Sequence, residues 1–216
     1  MKSALVTMSL LASMLVLASG QQPTPVSNPH KASFDWLFEG TQWLDEKDQI
    51  KATKALTPEE RKALIEAISV LLRPGRKIES AASEKKLLND VNATRVKLID
   101  LNGDGIPEVI AQAFDDESCS PTGNCTFWVF MRSDNRYKLI LEKEAVQTFT
   151  IRPKRTNSFN DLVLGQHGSA SERDLIVYRF VDGKYRRGPC YNVNFERLVG
   201  DEVQELENPI ITPCHQ

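Results

Sequence analysis

Apolar positions recur along the chain with two different periods, and the change falls near Val91. From Ser33 to Leu72 the spacing is helical. Phe34, Leu37, Phe38, Thr41 and Leu44 share one face at three- and four-residue steps, and Trp36 and Trp43 form a second stripe, which predicts tryptophans packed in a core. The stretch TPEERKALIEAISVLL is the clearest helix. Thr57 stands at its N-cap, Pro58 at the first helical position and Glu60 where it completes a capping box, and RPGR supplies the stop. A shorter helix is expected over 83–89, with Ser83 as its cap.

Beyond Val91 the period is two, with β-branched and aromatic runs separated by turn residues. Strands are expected at 94–100, 108–114, 126–132, 137–143, 147–152, 161–166, 175–181 and 184–186. SDNR and VDGK read as hairpin tips, because Asn and Gly tolerate the positive φ of tight turns. TFWVFMRSDNRYK also aligns without gaps on DLIVYRFVDGKYR, and each is preceded by a short acidic-then-aliphatic run, PEVIAQA and NDLVLGQ. The expected fold is α+β, N-terminal helices followed by an antiparallel β meander built from repeated hairpins.

The N-terminus changes the setting. Met1–Gly20 has a basic Lys2, an apolar stretch from Ala4 to Ala18 and a small-residue end, Ala18-Ser19-Gly20, which together read as a cleavable signal peptide without a lipid-anchor Cys. The apolar stretch is short for roughly 30 Å of hydrocarbon, so no membrane span is expected after cleavage. Residues 21–32, rich in Pro and polar side chains, read as a disordered spacer; 33–90 then form the helical segment and 91–216 the β domain. The expected location is secreted or periplasmic. Removing Lys2 leaves 26 basic residues (27 minus 1) against 29 acidic, which argues against a nucleic-acid partner.

All four cysteines, Cys119, Cys125, Cys190 and Cys214, lie in the exported part, where oxidation is the default. Three pairings are open on paper. Cys119 and Cys125 flank the turn-rich SPTGN and can close locally, which leaves Cys190 for Cys214; a zinc site using His215 is the rival reading.

DLNGDGIPE, Asp100 to Glu108, alternates oxygen-bearing side chains with residues that let the chain wrap tightly. Calcium takes six to eight oxygens, and loops deliver them at every second position. Asp100, Asn102 and Asp104 would supply positions one, three and five, Ile106 a backbone carbonyl at seven and Glu108 a third carboxylate at nine, with Gly103 and Gly105 free of Cβ clashes. Position twelve is Ala111 and the flanks are strands, so the loop is not an EF-hand. It resembles the calcium loops of integrin-type propeller repeats and of FG-GAP-like (VCBS-like) repeats in exported bacterial proteins, over about Val96 to Ala113, with a degenerate second copy near Asn157 to Leu164. The resemblance implies Ca2+ as a bracing ion between strands. A bare turn is the alternative, since Asn-Gly and Asp-Gly both favour one.

Other constellations weigh less. Ser83 and Lys86 form S-x-x-K and Ser133-Asp134-Asn135 an S-D-N, but no K-T-G completes the serine β-lactamase set. His167 in GQHGS is the one plausible base, and Asp115-Asp116-Glu117 a carboxylate cluster for acid/base work or an enlarged calcium site. Arg152, Lys154, Arg155 and Lys184, Arg186, Arg187 form two basic runs suited to an acidic partner or polysaccharide. Asn92 and Asn124 head glycosylation sequons. The balance argues against an enzyme and for an exported, calcium-stabilised β module that binds a protein or carbohydrate. The alternatives are a secreted hydrolase inhibitor acting through the Cys119–Cys125 loop, and a hydrolase using the acidic loop and His167.

Overall fold

The computed structural model describes residues 37, 39–133, 136–169, 171–199 and 202–214. The expected signal peptide and spacer, and with them Trp36, His30 and His215, lie outside the described residues. So do Asp134 and Asn135.

Two helices form where the caps place them. In α1 (Pro58–Leu72), Glu60 N donates to Thr57 Oγ1 at 3.2 Å and Thr57 N donates to Glu60 Oε2 at 2.7 Å, closing the expected capping box. α2 (Ala81–Ala93) is longer than the sequence pattern predicts. Its N-cap is Ser80, while Ser83 is the third helical residue that closes the reciprocal box. A 3-10 turn at Arg73–Gly75 joins the two.

The helix expected across Ser33–Leu44 does not form in its described part. Gly40 adopts φ +74°, which breaks any helical run, and Gln42 pairs with Phe149 through N–H···O bonds of 2.7 and 3.1 Å. A 3-10 turn follows at Glu46–Asp48, and Gln49 then bridges Arg95. The apolar residues of this segment are instead read out one per layer. Leu37 packs on one outer sheet face, Leu44 between the sheets and Ile50 under the helices. Trp43 is 59% exposed, so it is not a core tryptophan.

Nine strands are present among the described residues: β1 (Arg95–Ile99), β2 (Glu108–Gln112), β3 (Cys125–Ser133), β4 (Arg136–Val146), β5 (Thr148–Thr156), β6 (Phe159–His167), β7 (Glu172–Val181), β8 (Lys184–Val199) and β9 (Glu202–Pro213). All neighbours are antiparallel and sequential, in sheets of order β1-β2-β3-β4 and β5-β6-β7-β8-β9. Thus the expected meander is present but divides into two sheets, with Gln147 alone between β4 and β5. The VDGK tip is a two-residue turn with Asp182 at φ +52° and Gly183 at φ +73°. Asn157 and Ser158, at φ +48° and +73°, make the β5–β6 tip, so the expected degenerate copy of the calcium loop is a tight turn followed by strand.

Period two decides the layers. Ile110, Phe127 and Val129 of the first sheet meet Phe149, Leu162, Leu164, Ile176, Tyr178 and Phe180 of the second in a shared core. The alternate residues of the first sheet, Val96, Val109, Ala111, Trp128 and Phe130, face the helices and pack with Leu64, Ile68, Leu87 and Val91. The helical segment is therefore docked on the sheet. Two disulfides pin the far ends, Cys119–Cys125 in the β2–β3 loop and Cys190–Cys214 between β8 and the end of β9.

Candidate metal centre

The Asp100–Glu108 loop joins β1 to β2 at the open end of the sandwich. Leu101 anchors it: the side chain is fully buried in the inter-sheet core, its N–H donates to Glu108 Oε2 at 2.8 Å, and its carbonyl accepts from Asn160 N at 2.8 Å. Tyr185 Oη in turn donates to the Asn160 carbonyl at 2.8 Å. The loop is thereby fastened to both sheets.

Within it the polar side chains bend back on their own backbone. Asp100 accepts from Gly103 N at 2.6 Å and from Gly105 N at 3.0 Å. Asn102 Oδ1 accepts from Asp104 N at 2.8 Å, and Asp104 Oδ1 accepts from Ile106 N at 2.7 Å. Asn102 Nδ2 donates to Asp104 Oδ2 at 2.8 Å and to Glu108 Oε1 at 3.2 Å, so positions five and nine converge on the amide nitrogen of position three. Gly103 and Gly105 have φ +79° and +83°. A Cβ at Gly103 would also lie 2.8 Å from Arg155 Nη1, which donates to the Asn102 carbonyl at 3.3 Å. Ile106 leaves its side chain in solvent.

The electrostatics are asymmetric. Glu108 is 2% exposed, and its pKa is pushed up to about 7 by burial and by the Asp104 and Asp100 carboxylates, against the opposing Leu101 N–H. For Asp100 partial burial works upward, but the N–H groups of Gly103, Gly105, Asn102 and Asp104 outweigh it and hold the carboxyl below its usual range.

The Asp100, Asp104 and Glu108 carboxylates, Asn102 Oδ1 and the Ile106 carbonyl would form an all-oxygen set that suits a hard cation such as Ca2+ rather than zinc, although it is Asn102 Nδ2 that stands between Asp104 and Glu108 in this structure. Each carboxylate oxygen keeps a lone pair beyond its N–H bond. The carboxylates of Asp100, Asp104 and Glu108 stand too far apart to form one tight cluster. Among the described residues the trio of potential ligand atoms lying within 4.8 Å of one another is Asp174, Cys190 and Cys214, where both sulfurs are already joined in the disulfide.

A raised carboxyl pKa sets the direction of a pH effect. Glu108 favours its protonated form in the folded state, so its contribution is fully present below about pH 4.5 and is lost as pH rises through 7. In chelator-treated protein, urea unfolding should show stability falling by on the order of 2–3 kcal/mol between pH 5 and 8. Glu108→Gln should flatten that slope. The same slope in both proteins would contradict the assignment.

The remaining sequence candidates go elsewhere. Asp115 and Glu117 do not extend the metal loop, because they lie in the β2–β3 loop at the opposite end of β2 and hold Arg76. Lys86 Nζ is held by Asp90 at 3.1 Å and Glu117 at 2.6 Å, and Ser83 is occupied with the α2 cap. His167 has no hydrogen-bond partner at Nε2; burial and the neighbouring Arg173 hold its pKa down. Its backbone is clasped by Asn124, which accepts from His167 N and donates to His167 O, both at 2.8 Å. That clasp, with Asn124 only 5% exposed, corrects the sequon reading at this position: Nδ2 is committed inside the folded protein. The tip of the Cys119–Cys125 loop is a hydrogen-bonded turn, Gly123 N donating to Ser120 O at 2.9 Å, rather than an extended segment.

The contacts made by Arg76, Arg155, Asn124 and Asn160 were not legible in the sequence, although Arg155 stands in a basic run and Asn124 in a sequon. Each acts on a partner more than ten positions away. Comparison with family models, curated proteins and solved structures finds no match to the chain.

Proposed function

We propose that the chain is an exported, non-enzymatic β module, braced by Ca2+ in the Asp100–Glu108 loop, that binds a protein or carbohydrate partner. The observation that supports it best is the convergence of the Asp104 and Glu108 carboxylates on the Asn102 amide in a loop whose Leu101 is clamped between the sheets. An ion held there by Asp100, Asn102, Asp104, the Ile106 carbonyl and Glu108 would couple its binding energy to sheet-on-sheet packing. The two disulfides accord with a secreted or periplasmic location. No helix among the described residues is long and apolar enough to cross a membrane.

Thermal unfolding tests the ion. For a dissociation constant near 10⁻⁴ M, 1 mM Ca2+ adds about 1.4 kcal/mol through RT ln(1 + [Ca]/Kd). The melting midpoint should rise with Ca2+ and return with chelator. Asp100→Ala with Asp104→Ala should remove the response. A wild-type midpoint indifferent to Ca2+ up to about 10 mM, well above the range typical of extracellular sites, would leave the loop as an ordinary turn.

A further inference from the structure

The second sheet carries its charge at one end. Residues 152–161 and 179–187, adjacent in space through the β5–β6, β6–β7 and β7–β8 pairings, hold seven lysines and arginines against two aspartates, although the whole chain is slightly acidic. The acidic counterparts, Glu172, Asp174, Glu196, Glu202, Glu205 and Glu207, belong to the other end and to the β8–β9 ribbon.

Strand alternation sorts these cations by face. Phe180 and Tyr185 turn into the inter-sheet core, so their neighbours Arg179, Lys184 and Arg186 point outward, and Arg179 is directly opposite Arg186. On β6, Leu162 is inward and Asp161 outward, beside Arg179, whose Nε stands 3.9 Å from Asp161 Oδ2. Arg152 on β5 feels both Asp161 and Arg179. Four neighbouring strands thus present Arg152, Asp161, Arg179 and Arg186 as one row, about 14 Å long at about 4.8 Å per strand.

Asp161 offsets only one of the three guanidinium charges of this row. It is fully buried, Thr156 Oγ1 donates to its Oδ1 at 2.7 Å, and its Oδ2 takes no hydrogen bond. One buried carboxylate holds Arg179 in place beneath three guanidiniums. Arg179 is 42% exposed along its side chain, with Nε unbonded, and Arg186 is exposed. The acidic Asp100–Glu108 loop borders this end from the first sheet, on the inner side, where Arg155 meets it.

We propose that this outer face binds a linear acidic polysaccharide, whose carboxylate or sulfate groups are read by Arg152, Arg179, Arg186 and Lys184. This deepens the binding-module reading and rests on it, but not on the calcium loop. Guanidinium forks match carboxylate and sulfate oxygens. The row runs across a flat strand face, which fits a repeating extended chain better than a compact ligand. At this end Phe159 stacks on Phe180 and Tyr185 meets both edge-on in the core, so these three rings are withheld from nucleic-acid bases; Tyr191, near Arg152, is the aromatic that the outer face keeps. Among the described residues none of the exposed large apolar side chains belongs to the row, which does not favour a bilayer surface as its partner.

The test is calorimetric binding of a heparin-derived octasaccharide to the full chain in Ca2+ at about 1 mM, the upper range for extracellular calcium modules, and again in chelator. The wild type should bind, more weakly as salt rises. Arg186→Glu with Lys184→Glu, both exposed positions, should weaken binding about tenfold or more, while Lys62→Glu on the exposed side of α1 should not change it. Melting midpoints of the variants confirm that they fold. Absence of wild-type binding, equal binding by the double variant, or tighter binding to phosphatidylglycerol vesicles or single-stranded DNA at the same ionic strength would each overturn the proposal. Polysaccharide binding without any Ca2+ response in the melt would sustain it while removing the ion; the reverse pattern would do the opposite.

Discussion

Trp128→Ala should cost about 3–5 kcal/mol of unfolding free energy, read as a lower urea midpoint at unchanged slope. Trp128 is 1% exposed and stands on the face of β3 that the helices cover, among Val109, Ala111, Phe130, Leu64, Ile68 and Leu87. Its Nε1 donates to Glu142 Oε1 at 3.1 Å, and Glu142 is its cross-strand partner on β4. Truncation removes the largest buried side chain of that layer and leaves the cavity between two rigid elements, where collapse is least able to refill it. Trp43→Ala is the matched control. At 59% exposure Trp43 should change stability by no more than about 0.5 kcal/mol. Equal effects at the two positions would mean that the helices are not packed on the first sheet.

Those two tryptophans mark the boundary of what local pattern can reveal. Trp128 lies in a period-two run, and alternation alone places it opposite Phe127 and Val129. Trp43 lies in a run with helical spacing that folds otherwise, because Gly40 interrupts it and the edges of two sheets capture it at Phe149 and Arg95. Those partners are far away in sequence. The α1 capping box, the VDGK turn and the local Cys119–Cys125 closure were legible because each is settled within a few residues. β9 was not. It pairs on one side only, most of its side chains are exposed, and its sequence has charges and two prolines where a half-buried strand would alternate. The division at Gln147 has no local punctuation either, since β4 runs nearly straight into β5.

For the Asp100–Glu108 loop, the spacing of Asp100, Asn102, Asp104 and Glu108 picked out side chains that hydrogen-bond within their own loop. Spacing could not show that Leu101 is the wedge between the sheets, or that Arg155 reaches over Gly103. Of the arginine row, Arg152 and Arg186 were likewise visible only in two separate basic runs, and Arg179 in neither. It takes the β6–β7 and β7–β8 registers to put Asp161, Arg179 and Arg186 side by side.

Arg76→Ala should be as damaging as the tryptophan deletion, for an electrostatic reason. The Arg76 side chain is 6% exposed and lies among three carboxylates: Asp90 of α2 in direct contact, Asp115 at 2.8 Å and Glu117 at 3.5 Å. Burial works against the guanidinium's charge, but these partners outweigh it and raise its pKa further. The ion pairs tie the helical hairpin to the β2–β3 loop that Cys119–Cys125 closes. Removing the arginine strands Asp115, whose side chain is 4% exposed and which keeps only the N–H groups of Glu117 and Ser118, while Asp90 retains Lys86; breaking such a buried set costs about 3–5 kcal/mol. Arg76→Met combined with Asp90→Leu and Asp115→Leu should recover most of it, since an apolar replacement of a whole buried ion set is often neutral. Arg73→Ala provides the contrast: its pair with Glu84 at 2.6 Å is about half exposed and should be worth no more than about 1 kcal/mol. Chemical denaturation of these variants decides the matter. An Arg76→Ala deficit no larger than that of Arg73→Ala would show that water still reaches the buried cluster.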